Sequence, residues 1–244
     1  MRLLGRPHVE DGEPPHRGAL PQPRGQKSWA VLARVALSER PPTRRQLAGE
    51  LFGDAEDPLG ALRWSLADVR RALGRHDILR GDPVALADDI TVDARLLSVG
   101  LLPVEQVGGV LLEGVDPHGC PGFDTWLLLA RSHVEARSRE DLRAAALDLL
   151  SHGRAEEAAE LAHRAAVLDP LDEDAQELFV RALVVAGHEG RAVLHLAASL
   201  AALEEAGLEP SPALRSAARR VGNHRSGLRA ATVAASLLRA GTAA

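Results

Sequence analysis

The sequence predicts a mainly α-helical chain in two parts: an N-terminal helical part that ends in a small β-hairpin, and a C-terminal part built from repeated helices. Leu and Ala dominate a composition that is 45% hydrophobic but only 2% aromatic, with no Tyr. Such a composition suits helices packed on helices better than sheets packed on sheets. Apolar residues also recur at helical spacing along most of the chain, and one segment realigns with itself at an offset of 34 residues. At 244 residues there is room for about two domains.

Taken in order, residues 2–10 are predicted as a strand, with Pro and Gly breaking the chain into turns up to Gly25. Trp29, Leu32, Val35 and Ala36 then mark a helix over Gln26–Ser38, stopped by Pro41-Pro42. Thr43 is a suitable N-cap for a second helix, Arg44–Phe52. An acidic loop, Gly53-Asp54-Ala55-Glu56-Asp57, leads to Pro58 near the start of a third helix ending at Leu73-Gly74. In that helix Leu62, Leu66, Val69 and Leu73 fall within about 60° of arc, one apolar stripe. Trp64 and Arg71 lie opposite it, flanked by Ala67 and Asp68, with Arg63 and Arg70 on one shoulder. Asp77 to Leu86 reads as a hairpin, and Ile90, Val92, Leu96 and Leu97 lead onward. Strand, three helices and hairpin is the element order of a winged helix-turn-helix, whose third helix suits a major groove about 12 Å wide.

Residues 98–122 read as a linker with a turn at Asp116-Pro117-His118-Gly119-Cys120-Pro121-Gly122. Helices follow at Phe123–Ser151, Arg154–Leu168, Asp172–Ala186 and Glu189–Ala206, then a short one with Ser211 as N-cap and Pro212 at its first position. His152-Gly153-Arg154-Ala155-Glu156-Glu157-Ala158 realigns with Ala186-Gly187-His188-Glu189-Gly190-Arg191-Ala192. That offset is the period of tetratricopeptide (TPR) repeats. The predicted organisation is 1–97, 98–222 and a weakly determined tail, 223–244, with a frayed helix around Leu228–Leu238.

The net charge of −5 hides an asymmetry. Residues 1–80 hold 14 basic and 10 acidic side chains, whereas 97–244 hold 14 basic and 20 acidic. The single Cys120 excludes an intrachain disulfide framework and a Cys-based zinc finger. No long apolar run predicts a membrane span, and charge at Arg2 and Arg6 predicts no secretory signal, so a cytoplasmic location is expected. Scattered His152, His163, His188 and His195 read as surface or packing residues rather than metal ligands. Cys120 near His118 lacks a third, orienting group. Glu156-Glu157 and Asp172-Glu173-Asp174 sit where negative charge favours a helix dipole. No catalytic residue, cofactor or metal is expected, and no membrane partner.

The stretch Leu168-Asp169-Pro170-Leu171-Asp172-Glu173-Asp174-Ala175, with Gly153-Arg154 before it and Ala206-Gly207-Leu208-Glu209-Pro210-Ser211-Pro212 after it, resembles the bacterial transcriptional activator domain, BTAD. Phe123-Asp124-Thr125-Trp126, preceded by Leu111-Leu112-Glu113-Gly114, resembles the start of that domain. Leu3-Leu4-Gly5 and Arg63…Leu66…Val69-Arg70-Arg71-Ala72-Leu73 resemble the winged-helix half of SARP-type transcriptional regulators, here without the NTPase module of longer members, since no GxxxxGK[ST] occurs.

The resemblance implies a DNA-binding activator, not an enzyme, that recognises promoter-proximal direct repeats head to tail. It would help recruit RNA polymerase and act commonly at secondary-metabolite gene clusters, with a homodimer on DNA as one arrangement. Carried over position by position, it sets Arg63, Trp64, Ala67, Arg70 and Arg71 against DNA, with Arg44 and Arg45 beside them and Arg80 on the wing. Gly53, Asp54, Ala55, Glu56 and Asp57 become the loop facing polymerase. Asp68 is expected on the exposed face, near phosphates. The family's usual wing Gly-Tyr pair is replaced by Asp82-Pro83-Val84-Ala85-Leu86. That difference and the overall negative charge leave a second reading open, an interaction module that keeps the winged helix without using it on DNA. In that reading Trp64 packs on a partner or a second protomer, and the arginines form a solvated basic face.

Overall fold

The structure, a computed structural model, describes residues 1–10 and 21–222, with side chains as far as Ala217. The readings for the tail lie outside the described residues. Two compact units divide within one long helix, at Arg137/Ser138.

Unit 1 is built around α1 (Gln26–Ala36), in which Ser28 through Ala33, Val35 and Ala36 are all buried. A helix apolar nearly all round becomes the centre of a core rather than one wall of it. α2 (Arg44–Phe52), α3 (Pro58–Ala72) and a hairpin of β1 (Leu79–Arg80) and β2 (Ala85–Leu86) pack around it. Leu79 pairs with Leu86 and Arg80 with Ala85, antiparallel. α2 starts where the sequence places it: the Thr43 hydroxyl accepts from the Gln46 N–H, and the Gln46 side chain accepts from the Thr43 N–H, a capping box. α3 opens with Asp57 capping the Gly60 N–H and Pro58 at its first position.

The N-terminal segment does not form the predicted strand. It makes two isolated bridges, Arg2 to His8 and Leu4 to Leu111. The Leu112 N–H donates to the Leu3 carbonyl, and the Gly5 N–H to the Val110 carbonyl. The partner of residues 3–5 therefore comes from about a hundred residues on, and the prolines that follow limit any longer ladder. Asp93 opens α4 (Asp93–Ser98), a helix absent from the sequence reading. Its buried carboxylate accepts from the Leu3, Leu4 and Ala94 N–H groups and pins the N-terminus there. Residues 98–122 fall within unit 1, where Leu111, Leu112, Val115 and Cys120 join the core.

α5 (Pro121–Ser151) contributes Phe123 and Leu127 to the core of unit 1, and its last turns belong to unit 2. In unit 2, α6 (Ala155–Leu168), α7 (Glu173–Val185), α8 (Glu189–Glu205) and α9 (Pro212–Gly222) follow. Ala158, Ala162, Ala165 and Ala166 on α6 and Ala175 and Ala182 on α7 are buried, so small side chains let paired helices approach closely. α5, α7 and α8 end alike. Gly153, Gly187 and Gly207 have positive φ of 74°, 82° and 70°. The next N–H in each case reaches back to the carbonyl of Leu149, Leu183 or Leu203. This is the Schellman closure, which favours glycine at the left-handed position.

The buried Gln176 amide is the polar centre of unit 2: it donates to the Ala166 and Asp169 carbonyls and accepts from the Ser199 hydroxyl. Its oxygen lies 2.6 Å from His195 Nε2. His195 and His163 flank the Phe179 ring, and burial, with the nearby His163, lowers the His195 pKa to about 4. Arg139 bridges Asp169 and Asp172, and Asp172 also caps α7.

Candidate nucleic-acid interface

The candidate surface of unit 1 joins the N-terminus of α2, one face of α3 and the hairpin. On α3, Leu62, Leu66 and Val69 are at most 1% exposed and hold the helix to the core. The exposed positions are Leu59, Arg63, Trp64, Ala67 and Arg71. Trp64 is 74% exposed, the most exposed large apolar side chain among the described residues. Arg63 pairs with Asp57 at 3.3 Å, both side chains two-thirds exposed.

Asp68 departs from expectation. It is buried, its Oδ2 accepts the Arg24 N–H at 2.9 Å, and its Oδ1 pairs with Arg71 at 3.3 Å. The incoming segment before α1 covers it, so its charge is neutralised against the protein rather than presented to phosphates. The Arg71 side chain remains 58% exposed.

Arg70 and Arg44 serve the hairpin. Arg70 Nη2 donates to the Leu79 carbonyl on β1. The Arg44 N–H donates to Asp82 Oδ1 at 2.9 Å, and Arg44 Nε to the Gly81 carbonyl at 3.2 Å. The Val84 N–H donates to the Pro42 carbonyl. The turn is thereby clamped to the start of α2, and Gly81 supplies the positive φ of 83° it needs. Arg45 and Arg80 are exposed, and the charge of Arg80 acts on the nearby Asp77 carboxylate.

Sequence periodicity identified the exposed face of α3 but missed the clamp, because its partners lie 9, 37 and 38 residues apart. In the 53–57 loop, Gly53, Asp54, Glu56 and Asp57 are exposed, Ala55 is half-buried, and Asp57 is engaged by Gly60 and Arg63.

Cys120 is buried with its thiol directed at the Leu51 carbonyl, 3.2 Å away, and burial pushes its pKa up. Among the described residues no group of three or more His, Cys, Asp or Glu could hold a metal, and no helix is long and apolar enough to cross a membrane.

Residues 104–221 match the family described as bacterial transcriptional activator domain. Among solved structures, the chain resembles Mycobacterium tuberculosis EmbR, in a complex with a low affinity phosphopeptide. The TM-score is 0.59 at 17% identity, over 98% of this chain and 69% of that one, a likeness of fold. A comparison with curated proteins found no match. Residues 104–221 thus carry the match to the bacterial transcriptional activator domain, and the likeness of fold extends over nearly the whole chain, including the winged helix ahead of it.

Proposed function

We propose that this chain is a transcriptional regulator of SARP type and that it activates transcription by seating α3 in the major groove of promoter-proximal direct repeats, with the hairpin turn against the flanking backbone and the 53–57 loop toward RNA polymerase. The observation that carries the reading is the face of α3. Trp64, Ala67 and Arg71 stand free of the core, while the nearby carboxylates Asp57 and Asp68 are each engaged by arginine. Arg45 and Arg80 supply positive charge for phosphates on either side, and Arg44 and Arg70 position the wing. Two copies on adjacent repeats, head to tail, fit the activator reading, as does a biosynthetic gene cluster as target. Such a regulator works in the cytoplasm.

The test is a gel shift of the full chain on its own upstream region across a salt series. The affinity should fall linearly on a log–log plot, and Arg45→Ala or Arg80→Ala should each lower the slope by about one. Absence of binding at low salt would overturn the proposal.

The net charge of −5 and the divergent wing favour a second reading, an interaction module acting through protein contacts. There Trp64→Ala would weaken association with the protein partner, while the chain would show no salt-dependent binding to its upstream region.

A further inference from the structure

The exposed positions of α3 carry no side chain that can pair a base through an amide. They are two arginines and three apolar residues, Leu59, Trp64 and Ala67. At 3.6 residues per turn, Trp64, Ala67 and Arg71 lie within about 60° of arc, one line along the helix. Trp64 and Ala67 are separated by a rise of about 4.5 Å, and Trp64 and Arg71 by about 10.5 Å. With about 3.4 Å between base pairs, that line spans about three steps.

From this line we infer that the recognition face reads thymine C5-methyl groups through Trp64 and Ala67, beside a base or phosphate held by Arg71. The inference rests on the DNA-binding reading and specifies what that face selects. In the major groove the thymine methyl is the only apolar group that a base pair presents. An indole face or an alanine methyl set against a guanine, adenine or cytosine edge would strip that edge of water and return no hydrogen bond. The charge around the patch suits a duplex rather than an apolar protein groove. Arg63 and Arg71 flank it, Asp57 is held by Arg63, and Asp68 is buried. The indole N–H remains as one donor at the ring edge.

The test uses the full chain and a duplex selected by it from a random pool. Each thymine is then replaced singly by deoxyuridine, which removes the methyl and keeps the base pair. Affinity should fall by about fourfold at one or two neighbouring positions, the value of one buried carbon. The loss should be absent in Trp64→Ala or Ala67→Gly, with the salt slope unchanged.

If the selected duplex binds with its normal salt dependence and no position responds to deoxyuridine, the inference is wrong while DNA binding stands. A loss that persists unchanged in both variants also overturns it. If no duplex is selected even at low salt, the DNA-binding reading falls and takes the inference with it.

Discussion

Replacing Asp68 by Asn keeps the shape of the side chain and removes its charge. The carboxylate is buried, accepts the Arg24 N–H at 2.9 Å and pairs with Arg71 at 3.3 Å. A hydrogen bond to a charged acceptor contributes about 1.5–3 kcal/mol against about 1 kcal/mol for a neutral one. The Arg71 pair adds at most about 1 kcal/mol, because the guanidinium is more than half exposed. Asp68→Asn should therefore destabilise unit 1 by about 1–2 kcal/mol. Asp68→Ala, which also orphans the Arg24 N–H, should cost about 2–4 kcal/mol. Urea denaturation followed through tryptophan fluorescence measures both, since Trp29, Trp64 and Trp126 all lie in unit 1. DNA affinity should move the other way for Asp68→Asn, because Arg71 is released beside the groove. Equal and negligible destabilisation by the two variants would refute the buried-anchor account and return Asp68 to the exposed face.

Three further outcomes follow from the geometry. Gly81→Ala places a Cβ 2.9 Å from the Pro83 carbonyl at a φ of 83° and should cost about 1–3 kcal/mol locally. The expected signature is faster hydrogen exchange at the Val84 and Ala87 amides with the helices unchanged. Gln176→Leu removes two donated bonds and the acceptor shared by Ser199 and His195, and should destabilise unit 2 by about 2–4 kcal/mol in a denaturant titration. His195 has a folded pKa of about 4 against 6.5 for the free side chain. Its contribution is therefore fully present above pH 6.5 and is lost as pH falls toward about 4, where the unfolded chain has already taken up the proton. The ceiling is about 3 kcal/mol, reduced by the solvent that reaches the half-buried ring. His195→Asn should flatten that part of a melting-temperature profile, and an unchanged slope would count against a neutral buried ring.

Much of this architecture was legible in local signals. Thr43 with Gln46, Asp57 with Pro58, and Ser211 with Pro212 start helices through groups no more than three residues away. Gly153 and Gly187 end helices at equivalent positions of the repeat because the left-handed residue of a Schellman closure suits glycine wherever it occurs. The stripe of Leu62, Leu66 and Val69, and the face of Trp64 opposite it, followed from helical spacing alone.

Tertiary structure decided what periodicity could not. Asp68 stands about 40° from Trp64 around the helix, yet it is buried because the backbone of Arg24 crosses it. Arg70 and Arg44, alike in sequence to the exposed arginines, are held by wing carbonyls. The N-terminal segment finds its partner at 110–113, and Asp93 caps it from 90 residues away. Each of these depends on backbone groups brought together by the fold, and a pairing between distant residues leaves no trace in the local spacing of apolar and polar side chains.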